Sequence, residues 1–522
     1  MNQIRDFIVI GSGFGGSVST LRLARKGYNV LCIEQGKRYE PGEYAKTNWD
    51  LRKYLWLPQL GMYGIQKLSF YKQVSILTGT GVGGGSLVYA NTLFKPKSTF
   101  FNNGEWGKIK PWEKILEPYY NRSGEMMGRV LYSKINPEDK ALRNVAKKMG
   151  VNDSFQNVFV GVYMNDKEEV KDPYFSGEGP KRNPCVECAG CMVGCNDNAK
   201  NTLDKNYLFF AEKHGASILS ETRVYKIEKT ADGYRVYTKS ILLGKQNKQV
   251  YECKKVIISA GTLGTLNLLL RQKFKYKTLQ KLPDSLGKNL LTNSETLCAV
   301  SGAREKLNNG LAITSVFHPD EHTHIEVVKY PNRSNGMKMF FSLSADGSRN
   351  SLLRTLKLMG NTLRQPHKFL KTIFNFNWSE NMVIFLVMQT LDNAMSMVWK
   401  KSLFGGRTSI KNKGNEKVPS YIAIGQKVMH KYAEEVNGIA QNIILEVMFN
   451  KATTAHILGG IPMSINPEKG VVNDYLEVHN YPGMYIIDGS IIQNNPGVNP
   501  SFSILAMAEY AMDNIDENKI KA

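Results

Sequence analysis

The chain has 522 residues, of which 42% are hydrophobic and 22% charged, a composition typical of globular proteins. The length gives room for two large domains, or for one nucleotide-binding domain interrupted by insertions, and the composition excludes a fibrous or disordered protein. The formal net charge of +22 favours an anionic partner, such as nucleic acid, a phospholipid surface or an acidic substrate. A basic surface that serves only solubility explains the same charge.

The amino-terminal residues MNQIRDFIVIGSG lead from a single Arg into an apolar strand, so we expect no secretory signal. The longest uninterrupted apolar run is MVIFLVM, residues 382–388, and about 20 residues are needed to span a bilayer. The sequence therefore predicts a cytoplasmic protein, and peripheral contact with a membrane remains open.

The first predicted elements are a strand, a glycine turn, an amphipathic helix and a second strand. The turn carries GxGxxG at Gly11, Gly13 and Gly16. Gly11 allows the tight turn, Gly13 lets the backbone approach a pyrophosphate, and Gly16 lets helix and strand pack closely. Glu34 ends the second strand, where its carboxylate can accept hydrogen bonds from ribose hydroxyls. The segment predicts a dinucleotide site, without separating FAD from NAD.

A second glycine run, TGTGVGGGSLVYANTL, occupies residues 78–93. A backbone this bare can lie against a pyrophosphate and a large flat ring system, which favours FAD. A flexible loop without a ligand is the alternative interpretation.

Near the carboxyl terminus, TTAHILGG places His456 ahead of a predicted strand that ends at Asp488 and Gly489. The turn NNPGVNP follows, and it puts Asn499 at the mouth of a helix with apolar periodicity. A His acting as base and an Asn acting as a fixed amide could together polarise a substrate hydroxyl. A purely structural role for either residue is the alternative.

Several segments, in this order along nearly the whole chain, resemble the glucose–methanol–choline (GMC) oxidoreductase family. Within that family the similarity is to the bacterial cholesterol oxidase branch, which binds FAD noncovalently. The segments are GSGFGG with Glu34, GTGVGGGSL, NAKNTLDKNYL at 198–208, VIISAGTLGT at 256–265, HILGG and DGSIIQNNPGVNP.

The resemblance implies that an alcohol is oxidised: His456 handles the hydroxyl proton, Asn499 orients the same oxygen, and the hydride goes to the flavin. It also implies a set of cofactor contacts. Tyr89 departs from the family pattern, which has an Asn near the flavin, and Asn91 is the candidate replacement. The expected cofactor residues are Gly11, Gly13, Gly16, Glu34, Gly85, Ser86, Asn91, Val224, Asp488 and Gly489.

Glu326, in the strand-like segment HTHIEVVKY, matches the position of the glutamate that isomerises the double bond in sterol oxidases. Strand alternation puts His322, His324 and Glu326 on one face. Three interpretations remain open here: a solvated strand face, an isomerising base, and a His-x-His-x-Glu metal site.

Residues 347–379 contain no acidic side chain. On a helix, Leu352, Leu353, Leu356, Met359 and Leu363 share one face, and Arg354, Lys357, Asn361 and Arg364 share another. Such a helix suits the interface of an anionic bilayer, and a helix with its apolar face in the core and a solvated basic side explains the same pattern.

Four of the seven cysteines lie in RNPCVECAGCMVGCN, at Cys185, Cys188, Cys191 and Cys195. The spacing C-x2-C-x2-C-x3-C is that of ferredoxin-type 4Fe-4S ligands, and it distinguishes this chain from the secreted cholesterol oxidases. A zinc site and a metal-free loop are the alternatives. A cluster would favour a dehydrogenase that passes electrons to a carrier protein rather than to oxygen.

We therefore expect an α/β (α+β) protein with a Rossmann-like FAD-binding domain and a discontinuous substrate domain built on a β-sheet with helices. The predicted FAD-binding segments are 1–50, 75–95, 196–300 and 462–522. The predicted substrate domain and lid comprise 51–74, 96–195 and 301–461, including the Cys-rich loop at 185–195.

The leading functional prediction is FAD-dependent oxidation of a sterol or similarly bulky apolar alcohol to a ketone, with double-bond isomerisation as an optional second step. The alternative is an FAD and iron–sulfur alcohol dehydrogenase with a protein electron acceptor. A nucleic-acid or membrane-binding protein without turnover is disfavoured by the presence of both His456 and Asn499, so we expect no nucleic-acid partner.

Overall fold

The computed structural model describes residues 4–518, except 168, 245–246, 346–349, 392, 403–404 and 415–416. The helices are α1 (Phe14–Arg25), α2 (Leu51–Tyr54), α3 (Ser98–Asn102), α4 (Gly104–Gly107), α5 (Trp112–Met126), α6 (Pro137–Lys148), α7 (Tyr207–Lys213), α8 (Gly261–Arg271), α9 (Ser351–Arg364), α10 (Pro366–Ile373), α11 (Ala423–Glu435), α12 (Ile444–Phe449) and α13 (Ser501–Asp513).

The strands are β1 (Arg5–Ile10), β2 (Val30–Ile33), β3 (Trp56–Leu57), β4 (Met62–Tyr63), β5 (Gln66–Phe70), β6 (Val74–Gly79), β7 (Arg129–Leu131), β8 (Gln156–Asn157), β9 (Phe159–Gly161), β10 (Ser217–Leu219), β11 (Thr222–Lys229), β12 (Tyr234–Ser240), β13 (Lys248–Ile258), β14 (Leu290–Leu291), β15 (Thr296–Ser301), β16 (Ile313–Phe317), β17 (Thr323–Val328), β18 (Phe341–Leu343), β19 (Val383–Gln389), β20 (Met395–Lys400), β21 (Arg407–Asn412), β22 (Ile439–Ile443), β23 (Ala452–Thr454), β24 (Leu458–Gly459) and β25 (Met484–Ile486).

The first sheet has the order β10-β2-β1-β13-β12-β11, and β25 also pairs with β13. Its central pairs, β10 with β2, β2 with β1, β1 with β13 and β13 with β25, are parallel. The parallel-paired segments 7–10 of β1, 30–33 of β2 and 256–258 of β13 are continuous apolar runs, because a parallel sheet is covered on both faces. A βαβ unit with helices on this sheet is the Rossmann-like arrangement expected from the sequence, and its carboxyl edge is where ligands bind in such folds.

A second sheet, of order β18-β22-β15-β19-β17-β16-β8, is antiparallel throughout. The apolar run noted in the sequence forms β19, whose residues 383–388 are buried between β15 and β17. This burial on both faces explains why the strand reads as an unbroken apolar segment. Glu326 lies on the neighbouring strand β17.

Helix α9 turns its apolar face outward. The interpretation that placed this face in the protein core is therefore wrong. Its apolar side chains are exposed, including Leu356 at 56% and Leu363 at 81%, whereas Arg354 is only 1% exposed. Arg354 donates hydrogen bonds to the carbonyl oxygens of Ala345 and Glu446, so the polar face packs against the protein. Residues 347–349 of the acid-free stretch lie outside the described residues.

The exposed apolar surface continues beyond α9 onto adjacent segments. We call it the apolar helix surface; its exposed residues are Met339, Phe340, Leu352, Leu353, Leu356, Met359, Leu363, Leu370, Ile373, Phe374, Phe376, Met448 and Phe449. Exposed apolar patches rarely persist on a protein that has no partner for them. Within the described residues, no helix has the length and apolar character needed to cross a membrane.

Candidate active site

A cleft runs along the carboxyl ends of β1 and β2, and its walls include Gly11, Gly13, Glu34, Gly85 and Val224. These five sequence-predicted residues come from segments far apart in the chain. The fold thus brings the first glycine turn, the second glycine run and the edge of β11 to one elongated opening.

The two glycine turns are shaped by close backbone approaches. Gly11 has a φ of 100°, and a Cβ on Gly16 would lie 1.9 Å from the carbonyl oxygen of Gly11. At Gly13, by contrast, a Cβ would meet no atom within 4 Å, so this backbone faces open space in the cleft. Gly16 therefore serves helix packing, and Gly13 leaves room for a ligand beside the amino terminus of α1.

Glu34 is buried in the wall of the cleft. Its carboxylate accepts hydrogen bonds from the backbone N–H of Ser12 at 3.1 Å, the Ser12 hydroxyl at 2.9 Å and the backbone N–H of Gly36 at 2.8 Å. Burial raises the pKa of Glu34, although these hydrogen bonds oppose the shift. The donors fix the carboxylate, whose remaining lone pairs can accept from ribose hydroxyls.

Three basic residues that sequence reasoning did not single out, Lys67, Arg223 and Arg271, also line this cleft. Their charges favour an anionic ligand, and the open backbone at Gly13 gives a pyrophosphate room. The residues present therefore fit FAD. Val224 lines the same cleft and is the residue predicted to contact the adenine.

A second cavity adjoins the cleft and shares Gly13, Gly79 and Gly85 with it. Its polar residues include His456 and Asn499, and Asp488 and Gly489 also line it. Most of the other walls are apolar: Leu77, Val88, Met192, Ile313, Val328, Leu386, Ile457, Leu458 and Ile504. The cavity is suited to an apolar molecule that carries one polar group.

His456 follows β23 and is held by a carboxylate that the sequence did not reveal. Its Nδ1 lies 3.0 Å from Oε2 of Glu295, which is fully buried. Nδ1 makes no regular hydrogen bond, so the contact is an ion pair when the ring is protonated. Burial lowers the pKa of His456, but the carboxylates of Glu295 and Glu326 together outweigh it and the net shift is upward.

Glu295 is itself fixed by the chain around His456. The Thr454 hydroxyl donates to Oε2 at 3.0 Å, and the backbone N–H of Ala455 donates to Oε1 at 3.1 Å. With Nδ1 turned toward Glu295, the ring's Nε2 is left for the cavity. No local motif signals Glu295, because it reaches His456 only through the packing of β15 against β23.

Asn499, two residues before α13, contacts Glu326 across the site. Its Nδ2 donates to Oε2 of Glu326 at 3.3 Å, and its Oδ1 is buried with no partner among the described residues. That oxygen is free to accept a hydrogen bond from a substrate hydroxyl. The fold therefore brings His456, Asn499 and Glu326, the three predicted catalytic residues, into one region.

Glu326 is fully buried and His324 is 2% exposed, so the solvated-face interpretation of this strand is wrong. His324 Nε2 lies 2.9 Å from Oε1 of Glu326, while His322 lies outside the strand and contacts Glu321 and Thr390. In the described part of the chain, no three His, Cys, Asp or Glu side chains are arranged to hold a metal ion. The His-x-His-x-Glu metal site is therefore not formed.

The remaining predicted cofactor residues Ser86, Asp488 and Asn91 differ in the hydrogen bonds that their side chains make within the protein. The Ser86 hydroxyl donates to Gly83 and accepts from Leu203, so a ligand contact there would fall to the backbone. Asp488 accepts from Thr265 and Ser490, and burial raises its pKa. Both side-chain polar atoms of Asn91 are buried without partners among the described residues, but Asn91 lines neither the cleft nor the adjoining cavity.

Cys185, Cys188, Cys191 and Cys195 line one small cavity together with Lys200. Among the described residues, no three His, Cys, Asp or Glu side chains are arranged to hold a metal ion. This includes the four cysteines of the loop. Burial raises the pKa of the Cys185, Cys188 and Cys191 thiols. None of the four is in a disulfide, and their arrangement does not support the predicted iron–sulfur cluster or the alternative zinc site.

Lys200 joins this cysteine loop to the second glycine run. Its fully buried ammonium donates hydrogen bonds to the carbonyl oxygens of Leu87 at 3.0 Å, Tyr89 at 2.9 Å and Cys191 at 2.7 Å. Burial lowers the pKa of Lys200 to about 8. The position of the cysteine loop is therefore coupled to that of the loop beside the cleft.

The fold and the site together define a dinucleotide-binding oxidoreductase whose cleft opens onto an apolar cavity. Sequence profiles described as GMC oxidoreductase match residues 180–294 and 358–508. The chain is 40% identical to a cholesterol oxidase of Mycobacterium tuberculosis, over 97% of this chain and 90% of that protein. It is 36% identical to a cholesterol oxidase of Acinetobacter baumannii, over 98% of this chain and 95% of that one.

Among solved structures, a pyridoxine 4-oxidase described as from Mesorbium loti matches with a TM-score of 0.61 and 14% sequence identity, covering 98% of this chain and 99% of that chain. This likeness concerns the fold alone. From the sequence relatives, the chain belongs to the GMC oxidoreductase family, as the sequence analysis predicted. It is an FAD-dependent oxidoreductase that acts on CH–OH groups.

Proposed function

We propose that this enzyme oxidises the hydroxyl of a sterol, or of a similarly bulky apolar alcohol, to a ketone. The observation that carries the proposal is the meeting of His456 and Asn499 at the wall of an apolar cavity that adjoins the dinucleotide cleft. The two bacterial relatives at 36% and 40% identity, both called cholesterol oxidases, support a sterol as the substrate.

His456 receives or shares the hydroxyl proton through Nε2, while Glu295 orients the ring through Nδ1. Asn499 accepts the hydroxyl hydrogen bond through Oδ1 and so fixes the reacting oxygen. The apolar walls exclude water and align the carbinol carbon. Gly13, Gly85, Glu34 and Val224 would hold FAD, which supplies the hydride acceptor when bound.

Glu326 is assigned to the second step, double-bond isomerisation. Burial raises its pKa to about 8, so the carboxyl group can both accept and return a proton near neutral pH. This assignment is independent of the first step, because a ketone can form without isomerisation.

The substrate is tested by incubating flavin-loaded enzyme with a sterol, a long-chain alcohol and a small polar alcohol, followed by mass analysis of the products. We expect the sterol ketone with the highest kcat/KM. His456→Gln should lose the activity, and His214→Gln, on an exposed residue outside the site, should retain it. Preferred turnover of the small polar alcohol would overturn the sterol assignment.

We also propose that the apolar helix surface docks the enzyme on an anionic bilayer, from which a sterol can be extracted. The support is the outward orientation of the apolar side of α9 and α10, together with the absence of acidic residues in 347–379. Each apolar side chain that leaves water contributes about 1.5–3 kcal/mol at most, and each basic residue near the lipid about 1 kcal/mol.

A second candidate function is an alcohol dehydrogenase that passes electrons through an iron–sulfur cluster to a carrier protein. Its support is that four cysteines line one cavity and that Lys200 ties their loop to the cleft. Cluster binding would require the cysteine side chains to rearrange from their present positions. Iron and sulfide analysis of anaerobically purified protein tests this, and absence of iron after reconstitution would overturn it.

A further inference from the structure

Three side chains form a hydrogen-bonded row that leads away from the candidate active site. Oε1 of Glu326 lies 2.9 Å from Nε2 of His324, and Nδ1 of His324 lies 3.1 Å from Nε2 of His318. The inner two residues are buried and His318 is partly exposed, so the row ends at the protein surface. We propose that His324 and His318 form a proton relay between Glu326 and solvent, as an extension of the proposed function.

Both ring nitrogens of His324 contact other members of the row. Each ring nitrogen has one partner, Glu326 on one side and His318 on the other. The ring is held edge-on against Phe94, with the centroids 5.0 Å apart. A buried imidazole that uses opposite nitrogens for two titratable partners can pass a proton without rotating.

One proton moves along the row from Glu326 to solvent. When Glu326 is protonated, its O–H donates to Nε2 of His324, whose Nδ1–H donates to Nε2 of His318. The carboxyl proton then bonds to His324 Nε2, the Nδ1 proton moves to His318 Nε2, and His318 releases its Nδ1 proton to water. The row ends with Glu326 as a carboxylate and both rings neutral, and one proton has left the site.

The titration behaviour of the three groups is consistent with this direction. Burial lowers the pKa of His324 to about 3 and that of His318 to about 4, so both rings are neutral near pH 7. Lys97 lies near both rings, Asp320 near His318, and His456 and Glu295 face Glu326. Because burial raises the pKa of Glu326 to about 8, its carboxyl group carries a proton near neutral pH that the row can exchange with solvent.

The relay is tested first by infrared spectroscopy of the flavin-loaded protein without substrate, at a pH below 8, where Glu326 is protonated. The band of the Glu326 carboxyl group is identified by its loss in Glu326→Gln, and its exchange is timed after transfer to D2O. We expect His318→Gln and His324→Gln to slow the exchange by about 10²-fold. His322→Gln, a neighbouring histidine outside the row, should exchange like the wild type.

His318→Gln keeps the contact between His324 and Glu326, so it tests the relay even if His324→Gln fails to fold. Exchange at the wild-type rate in His318→Gln would overturn the relay. If no alcohol bleaches the wild-type flavin, the proposed function fails, while the infrared exchange still tests the relay.

Discussion

Glu295 and His456 form a buried pair in which Oε2 of the carboxylate lies 3.0 Å from Nδ1 of the imidazole. The carboxylate is held by Thr454 and Ala455, the two residues immediately before the histidine. The ring thus has one nitrogen committed to the protein and one left for the cavity. Its orientation is set before substrate arrives, which lowers the entropy cost of reaction.

Glu295→Gln should lower kcat by about 10²-fold or more, because the ring loses its orienting charge. The charge of Glu295 raises the pKa of His456. Since His456 must be neutral to accept the hydroxyl proton, the acidic limb of the kcat/KM profile should move to lower pH in this variant. The exposed Glu305→Gln serves as control, and an unmoved acidic limb would contradict the pairing.

Glu326→Gln should flatten the dependence of thermal stability on pH. The pKa of Glu326 is about 8 in the folded protein against 4.5 for an ordinary glutamate, so the folded state binds more protons between these values. The stabilising contribution is complete below pH 4.5 and is lost as the pH rises through about 8. Thermal unfolding measured from pH 5 to 8 should show this loss in the wild type, by several degrees, and not in the variant. Equal slopes would contradict the assignment.

Leu356→Glu combined with Met359→Glu should abolish sedimentation with anionic vesicles. Both side chains are more than half exposed, so the melting temperature should stay the same while lipid contact is lost. Leu60→Glu, an exposed residue outside the apolar helix surface, is the control. Arg354 is unsuitable for charge reversal, because it is buried and serves the fold. Unchanged sedimentation of the double variant would rule out this docking surface.

Lys200→Met should destabilise the protein by about 3–5 kcal/mol, because three buried carbonyl oxygens lose their common donor. The second glycine run, whose Leu87 and Tyr89 carbonyl oxygens Lys200 binds, should also hold FAD less tightly. The release of flavin on dilution measures this. The exposed Lys181→Met should change neither property. Wild-type stability and flavin retention in Lys200→Met would show that the two loops are not coupled.

Features set by local backbone physics could be predicted from the sequence. The glycine motif spans the turn after β1 and the first turn of α1 as expected, and a Cβ on Gly11 or Gly16 would collide with the backbone there. The apolar periodicity before the carboxyl terminus predicted α13. The cofactor and the chemistry of His456 and Asn499 came from family resemblance, because a single histidine carries little information.

Features set by tertiary packing could not be predicted. Periodicity showed that α9 has two faces but not which one meets the protein, and Arg354 turns inward to bind carbonyl groups. Alternation placed His324 and Glu326 on one face without revealing that this face is buried. Glu295 reaches His456 from a distant part of the chain, and four clustered cysteines indicated a metal that the described structure does not arrange ligands to hold.

The most direct measurement is anaerobic rapid mixing of the flavin-loaded enzyme with a sterol that carries deuterium at the carbinol carbon. Flavin bleaching should be severalfold slower with the deuterated sterol than with the unlabelled one, and about 10²–10⁴-fold slower in His456→Gln. Absence of bleaching by any sterol, or bleaching at an equal rate in His456→Gln, would contradict sterol oxidation at this site.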